Sequence, residues 1–305
     1  MKRECDNPFG SHYDRVYLDL FRHYEEQERI KPEDKILETT SGSAGVSFCG
    51  LGKLLGYECH VVVPEGTDKP IIELIRREDG ILYFTPQKDY IAGFPAFLKE
   101  FLPRHGNEFT FLNHSMGSRY GTNYRNNEIT LRSLEGITRE VLDEIEIDYF
   151  IPAVGNGSTI LGPAKVLGSD TKVVVFESFQ SAVAYDQLYP SIYETKFGIK
   201  PGSLPRHRLR GTSYHGIDFP HIKNAVSEKL IHKAILVSDA QVDENYKRAT
   251  GRLDTTKLPH WDGVPADGLG KSTRAGIAVA LDMANRVSDK ILLIIAYDKE
   301  DRYDP

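Results

Sequence analysis

The strongest constraint on the fold is the segment 35–64, in which a loop of small residues joins an apolar strand to a helical pattern. The loop, residues 39–45, reads Thr-Thr-Ser-Gly-Ser-Ala-Gly, and the helical pattern after it ends at Gly56. A second apolar strand, residues 59–63, follows at once, so the segment predicts a βαβ unit. Such a loop presents backbone N–H groups and hydroxyls at a helix N-terminus, where an anion is stabilised. Small residues also favour any tight connection, and the loop alone leaves both interpretations open.

Strands and helices alternate along the rest of the chain. Apolar runs predict strands at residues 81–84, 109–112, 148–154, 173–177, 234–237 and 291–296. Periodicity predicts a first helix after Ser11, which is its candidate cap. Further helices are predicted at residues 70–77, 91–102, 128–145, 240–249 and 273–287, and Pro103 is expected to end the helix 91–102. Strands that alternate with helices of this length imply right-handed crossovers and mostly parallel sheets. The segments 178–210 and 252–269 show no such pattern and are predicted to be irregular.

A second strand–loop–helix unit lies in the C-terminal half. The strand 148–154 leads into the loop Gly155, Asn156, Gly157, Ser158 and Thr159, and a helical pattern continues to residue 167. Glycine lets the backbone approach a ligand closely, and the two hydroxyls add donors at a helix N-terminus. This loop therefore predicts a phosphate site more specifically than the first loop does.

The overall composition excludes several classes of function. The 305 residues are 27% charged and 40% hydrophobic, which is typical of a soluble chain with one large domain or two. The net charge is −6 with both signs spread along the chain, so no nucleic-acid partner is expected. No apolar run spans a membrane and no secretory signal is visible, so we expect a cytoplasmic protein. Cys5, Cys49 and Cys59 lack metal-ligand spacing and predict buried thiols in a reducing compartment, with no metal site.

Five segments, taken in chain order, resemble cysteine synthase and the wider tryptophan-synthase-β-like family of pyridoxal-phosphate enzymes. The resemblance covers nearly the whole chain. The segments correspond to the family's lysine-bearing motif, its substrate-carboxylate loop, the strand end that follows, the cofactor-phosphate loop and the C-terminal Asp…Arg-Tyr pattern. They are residues 7–15, 40–45, 62–65, 155–159 and 297–303.

The resemblance implies two α/β domains, each with a mostly parallel twisted sheet flanked by helices, and a ligand cleft between them. The N-terminal domain, residues 1–120, would hold the substrate carboxylate through Thr40, Ser41, Gly42 and Ser43. The C-terminal domain, residues 121–305, would hold pyridoxal phosphate. Its cofactor-binding residues would be Gly155, Asn156, Gly157, Ser158, Thr159, Gly211, Ser272 and Thr273. The resemblance further implies a homodimer and a small amino-acid-like or phosphorylated ligand.

The chain departs from the family pattern at its chemical centre. Tyr13, preceded by His12, stands where the family carries its Schiff-base lysine, and a phenol cannot form an imine with an aldehyde. Ser43 stands where the family usually has the asparagine that helps to hold the cofactor's phenolic oxygen. Ser272, Thr273 and Arg274 compete for the place of the pyridine-nitrogen partner. The lysine-type motif also lies unusually close to residue 1, which predicts a shortened chain or a start further upstream.

Two hypotheses follow from these departures. In the first, the protein binds a phosphorylated ligand for a binding or regulatory role and has lost conventional β-replacement chemistry, which makes it a pseudoenzyme. In the second, it is an active pyridoxal-phosphate-dependent lyase or transferase on a small amino acid, with the cofactor held non-covalently. His12 would then be a better acid/base group than Tyr13, because a phenol is a poor base near neutral pH. Lys271, at the start of the last helix, is a surrogate amine in this hypothesis and a solvated loop lysine in the plainer one.

Overall fold

The chain divides into two compact units in the computed structural model, which describes residues 1–115, 125–213, 219–251 and 268–304. Unit 1 contains Met1–Arg3 and Glu135–Glu300, and unit 2 contains Glu4–Leu134 and Asp301–Pro305. The sequence-based boundary at residue 120 therefore differs from the structural one, and each chain end belongs to the opposite unit. The ends are exchanged because the first residues pair with the last strand, whereas Arg302 donates to the carbonyl of Phe9 in unit 2.

Unit 2 contains a four-stranded sheet in the order β4-β3-β2-β5, and all of its strand pairs are parallel. The strands are β2 (Lys35–Thr39), β3 (Glu58–Pro64), β4 (Ile81–Thr85) and β5 (Phe109–Phe111). The helices are α1 (Tyr13–Glu26), α2 (Ser43–Leu55), α3 (Lys69–Arg77) and α4 (Phe94–His105). Because β2 pairs with β5 as well as with β3, the residues that follow β2 and β5 meet at one edge of the sheet.

Unit 1 contains a five-stranded sheet in the order β1-β9-β6-β7-β8, again with parallel pairs throughout. The strands are β1 (Lys2–Arg3), β6 (Tyr149–Ile151), β7 (Lys172–Ser178), β8 (Lys233–Val237) and β9 (Leu292–Ala296). The helices are α5 (Arg125–Leu142), which runs across the boundary, α6 (Ser158–Ala164), α7 (Val183–Leu188), α8 (Ile192–Phe197), α9 (Pro220–Ser227), α10 (Val242–Thr250) and α11 (Lys271–Ala284). Within the described ranges, every helix is too short or too polar to cross a bilayer.

The predicted fold class, parallel sheets flanked by helices, is confirmed, and the three cysteines are buried free thiols. Two local predictions were wrong. Helix α4 continues through Pro103 to His105, because a proline in the last turn removes a single helical hydrogen bond. The segment 178–210 contains α7 and α8, and α7 begins where the buried Glu177 carboxylate accepts N–H groups from its first turn. Most of the second irregular segment, residues 252–267, lies outside the described residues.

Aromatic packing fixes α1 against α2 and so sets the position of the lysine-type motif. Phe48 of α2 lies between two rings of α1, with centroid distances of 5.3 Å to Tyr17 and 5.8 Å to Phe21. Phe21 also stacks on Tyr57 at 5.1 Å. All of these rings are buried, and each aromatic side chain removes a large apolar area from water. The start of α1 is therefore held rigidly at the carboxyl edge of the unit 2 sheet.

The retained flanks of the lysine-type motif stabilise the scaffold. Arg15 donates to the fully buried Glu4 carboxylate through Nε at 2.7 Å and through a second guanidinium nitrogen at 3.0 Å. Asn7 donates to the same carboxylate at 2.8 Å and to the carbonyl of Ser11 at 3.0 Å. Gly10, at φ +73°, lies against the Arg302 guanidinium, which leaves no room for a Cβ. These contacts hold the backbone of the motif in place.

Removing the buried carboxylate should therefore destabilise unit 2. We expect Glu4→Ala to lower the free energy of unfolding by about 2–3 kcal/mol, because it leaves the largely buried Arg15 guanidinium without its counter-charge. Urea unfolding followed by circular dichroism measures this loss. Asp282→Asn, which breaks the exposed pair with Arg286, is the matched control and should cost less than about 0.5 kcal/mol. Equal effects of the two substitutions would contradict the assigned role of Glu4.

Candidate functional site

The residues at the lysine position open α1 in unit 2. The Ser11 hydroxyl lies 2.9 Å from that of Ser47 in α2 and accepts a hydrogen bond from the Tyr13 N–H at 3.3 Å. The His12 ring is buried and lies 4.1 Å from the half-buried Tyr13 ring. The His114 ring makes an edge contact with Tyr13, and the two ring centroids are 5.2 Å apart. A phenol therefore occupies the place where the resemblance puts an amine.

Burial makes His12 a weak base. Loss of solvation, followed by the electrostatic influence of His114 and then of Arg15, lowers the pKa of His12 from 6.5 to about 3. The imidazole is therefore neutral at pH 7 and accepts a proton only at a large cost. This disfavours His12 as the acid/base group that the second hypothesis assigned to it.

The predicted carboxylate loop lies between β2 and α2, as the sequence pattern indicated. The Thr40 N–H donates to the carbonyl of Val62 at 3.0 Å, and the Gly42 N–H donates to the Thr40 hydroxyl at 3.1 Å. Ser43 is the first residue of α2, a helix of 13 residues, so the loop ends at the positive end of a helix dipole. Thr40 and Ser43 are buried, whereas Ser41 and Gly42 are half-buried. The N–H groups of Thr40 and Gly42 are thus engaged within the protein, and the loop leads into the N-terminus of α2.

Two residues at the same sheet edge were missed by the sequence analysis. Glu38, at the carboxyl end of β2, is fully buried, and His114, just after β5, is 4% exposed. The His114 N–H donates to Glu38 Oε2 at 3.1 Å, and His114 Nδ1 lies 3.1 Å from the same oxygen and 2.9 Å from the Tyr17 hydroxyl. The available signal was a glutamate inside an apolar strand and a histidine directly after another strand.

The glycine loop of unit 1 is folded as a helix start, but one residue satisfies part of it internally. Asn156 Oδ1 accepts both the N–H of Ser158 at 2.9 Å and its hydroxyl at 2.6 Å. The Ser158 donors that the sequence analysis assigned to a phosphate are thus engaged by Asn156 in this structure. Gly157 has φ +92°, and a Cβ there would lie 2.7 Å from the backbone nitrogen of Ile222 in α9. Only glycine fits this position.

Gly211 lies at the same loop, as predicted, and brings a further hydroxyl with it. A Cβ on Gly155 would be 2.9 Å from the Gly211 carbonyl oxygen, which shows how closely the two segments approach. The Ser213 N–H donates to the carbonyl of Val154 at 2.7 Å, directly before the loop. The Ser213 hydroxyl is buried and has no hydrogen-bond partner among the described residues. A buried hydroxyl without a partner is costly unless a ligand supplies one.

The start of α11 distinguishes the three candidates for the pyridine-nitrogen partner. Thr273 Oγ1 accepts the N–H of Tyr297 at 3.1 Å and is committed to the fold. The Arg274 guanidinium pairs with Glu300 at 2.7 Å and with Asp243 at 3.3 Å, so it is neutralised. The Ser272 hydroxyl makes no hydrogen bond to any residue that the structure describes, which leaves it as the candidate. Lys271 is the half-buried first residue of this helix.

The chain is similar to known proteins over nearly its whole length. The profile of a family described as "Pyridoxal-phosphate dependent enzyme" matches residues 1–296. A probable cysteine synthase of Bacillus subtilis is 26% identical over 309 residues, which cover 99% of this chain and 87% of that protein. A cysteine synthase of Staphylococcus aureus is 30% identical over 174 residues, 55% of this chain and about half (51%) of its own length. The crystal structure of a hydrogen sulfide-producing enzyme from Fusobacterium nucleatum shares the fold, with a TM-score of 0.77, 19% identity and coverage of 99% of this chain and 90% of that one.

The buried neutral state of His12 should appear as a loss of stability in acid. Below pH 6.5 the unfolded chain takes up a proton at His12, whereas the folded protein does so only near pH 3, so stability falls as the pH falls between these values. Between pH 6.5 and 4.5 this contributes about 2–3 kcal/mol, and His12→Gln should remove that part of the slope. Urea unfolding at a series of pH values measures it, with His23→Gln as control. Identical slopes in wild type and His12→Gln would refute the assignment.

Proposed function

Because the chain belongs to the family of pyridoxal-phosphate dependent enzymes, we propose that it binds pyridoxal phosphate, or a closely related phosphorylated ligand, without a covalent link. We further propose that it lacks the conventional β-replacement activity of cysteine synthases and has a binding or regulatory role. A homodimer, expected from the resemblance, remains part of this proposal.

Residues of unit 1 support the proposal that the phosphate group of the ligand binds at the glycine loop. The Ser213 hydroxyl is buried without a partner beside the glycine loop, so it has a hydrogen bond to offer. Gly155 and Gly157 contribute no side chains to that loop. Ser158 would exchange Asn156 for a phosphate oxygen, since charge-assisted hydrogen bonds are the stronger kind. The Ser272 hydroxyl would face the ring nitrogen. These residues fit a phosphorylated pyridine held by hydrogen bonds.

The observation that carries the proposal is the phenol at position 13. Tyr13 is enclosed by the His12 and His114 rings, and α1 contains no lysine. Pyridoxal phosphate supplies, when bound, an electron-withdrawing ring that stabilises negative charge on an amino-acid substrate. In the absence of an amine on α1, the cofactor's aldehyde has no partner there. The loop Thr40–Ser43 would still hold a carboxylate, which suggests a small amino acid or an O-activated derivative as the second ligand.

A second candidate function is favoured by the polar cluster around His114. The protein would then be an active lyase or transferase on a small amino acid, with a surrogate base in place of the lysine. The pKa of about 3 for His12 argues against that residue, while His114 is paired with a buried carboxylate. Lys271 is the alternative surrogate, and its half-buried place at the first turn of α11 is also that of an ordinary solvated lysine.

Restoring the amine tests the proposal directly. We expect Tyr13→Lys to give a new visible absorption band with pyridoxal phosphate and, after borohydride reduction, a mass adduct on the peptide that contains residue 13. Wild type and Tyr13→Gln, which has no amine, should bind the cofactor in equilibrium dialysis and yield no adduct. An adduct on Lys271 in the wild-type protein would favour the active-enzyme alternative. Failure of wild type to bind pyridoxal phosphate at all would rule the proposed function out.

A further inference from the structure

A single buried histidine closes the turn that carries Gly211 and Ser213 in unit 1. His207 is 3% exposed, and both nitrogens of its ring contact the main chain of this turn. Nδ1 accepts the N–H of Leu209 at 3.2 Å, and Nε2 lies 2.9 Å from the carbonyl oxygen of Ser213. The imidazole therefore bridges the start and the end of the turn.

The two main-chain partners fix the tautomer of the His207 ring. A backbone N–H can only donate a hydrogen bond and a carbonyl oxygen can only accept one, so Nδ1 carries the lone pair and Nε2 carries the hydrogen. An imidazolium ion has hydrogens on both nitrogens and would set one of them against the N–H of Leu209. The bridge therefore requires the neutral ring.

The charged groups that face His207 come from its own segment and from the residues after β8. Burial, the largest influence, lowers the pKa of His207, and the Arg210 and Arg206 guanidinium groups act in the same direction. The hydrogen-bonded carbonyl and the Asp239 carboxylate act in the opposite direction. Because the net shift is downward, the ring is neutral at pH 7. Asp239 also accepts the N–H of Arg208 at 2.6 Å, which ties the segment to the end of β8.

The closed turn engages the whole backbone of Ser213. The Ser213 N–H donates to the carbonyl of Val154 at 2.7 Å, directly before the glycine loop, and the Ser213 carbonyl accepts from His207. Within the turn, the Thr212 hydroxyl donates to the carbonyl of Leu209 at 2.7 Å. The Ser213 hydroxyl is 2% exposed and has no hydrogen-bond partner among the described residues. It is thus a buried donor whose place is set by main-chain hydrogen bonds.

We propose that His207 is the positioning residue of a phosphate subsite in unit 1. By closing the turn through both ring nitrogens, His207 holds the Ser213 hydroxyl beside the glycine loop, where that hydroxyl donates to a phosphate oxygen. A donor that is held in place before the ligand arrives binds more tightly than one that has to be ordered. The identity of the ligand, pyridoxal phosphate, rests on the proposed function, whereas the subsite itself lies within unit 1.

The tautomer is measurable without any ligand. In protein labelled with ¹⁵N-histidine, two-bond proton–nitrogen correlation spectra at pH 7 should show His207 as the neutral Nε2–H tautomer, with assignment by loss of its signals in His207→Asn. An Nδ1–H tautomer or an imidazolium ion at this pH is incompatible with the bridge and overturns the proposal.

The link between His207 and Ser213 is tested by a double-mutant cycle on the Kd of pyridoxal phosphate, measured by equilibrium dialysis. We expect Ser213→Ala to weaken binding about tenfold, which is the usual effect of losing a hydrogen bond to a charged group. His207→Ala should weaken binding by a similar factor, and the double variant should bind no more weakly than His207→Ala. Independent losses that multiply in the double variant would show that His207 does not act through Ser213.

Two further variants supply a rescue and a matched control. His207→Asn should recover part of the affinity, because the asparagine oxygen can accept the N–H of Leu209 two residues further on. If His207→Ala does not fold, His207→Asn takes its place in the cycle with the same criterion. His232→Asn removes a histidine whose Nδ1 accepts the Val173 N–H at 3.1 Å, near the amino end of β7. This is the sheet edge opposite to the glycine loop, so an affinity loss as large as that of His207→Ala would refute the positioning role.

Inorganic phosphate separates this proposal from the proposed function. Titration of phosphate into the wild-type protein should shift the His207 ¹⁵N signals, and Ser213→Ala should need about tenfold more phosphate for the same shift. If phosphate binds in this way and pyridoxal phosphate does not, the proposed function fails and the positioning role of His207 stands. If the wild-type protein binds neither, both are wrong.

Discussion

The buried carboxylate of Glu38 is the constraint around which the carboxyl edge of the unit 2 sheet is arranged. A carboxyl group out of contact with water is tolerated only when hydrogen-bond partners surround it. The chain meets this requirement with the N–H groups of Thr39 and His114, and the ring of His114 lies at the same oxygen. The peptide after β5 is thereby held against the end of β2.

In unit 1, the glycine loop at residues 155–159 presents backbone and hydroxyl groups where added side chains would clash with neighbouring backbone. Gly157 is excluded from bearing a side chain by the backbone of α9, and Gly155 by the carbonyl of Gly211. Ser213, whose N–H donates to the carbonyl of Val154 just before the loop, has a buried hydroxyl with no partner among the described residues. In this structure, Asn156 Oδ1 accepts hydrogen bonds from both the N–H and the hydroxyl of Ser158. A loop built in this way keeps its shape and retains hydrogen-bonding capacity for an anion.

In the lysine-type motif, the residues that stabilise the fold are distinct from the residue at position 13. Asn7, Gly10 and Arg15 hold the start of α1 through Glu4 and Arg302, and none of these contacts involves the residue at position 13. The backbone of the motif is therefore held independently of the side chain of Tyr13. Burial of the His12 imidazole, which lowers its pKa to about 3, removes the neighbouring residue as a base.

The sequence by itself determined the alternation of strands and helices, the two small-residue loops and the family, because these depend on local propensity and on short motifs. It also located Gly211 and the start of α11. Only the tertiary structure decided which groups are free to act. Glu38 and His114 are 76 positions apart and meet because β2 and β5 are neighbours in the sheet. Ser272 is distinguished from Thr273 and Arg274 by what the latter two already bind. Burial and hydrogen-bond competition are properties of packed neighbours, and no local pattern in the chain encodes them.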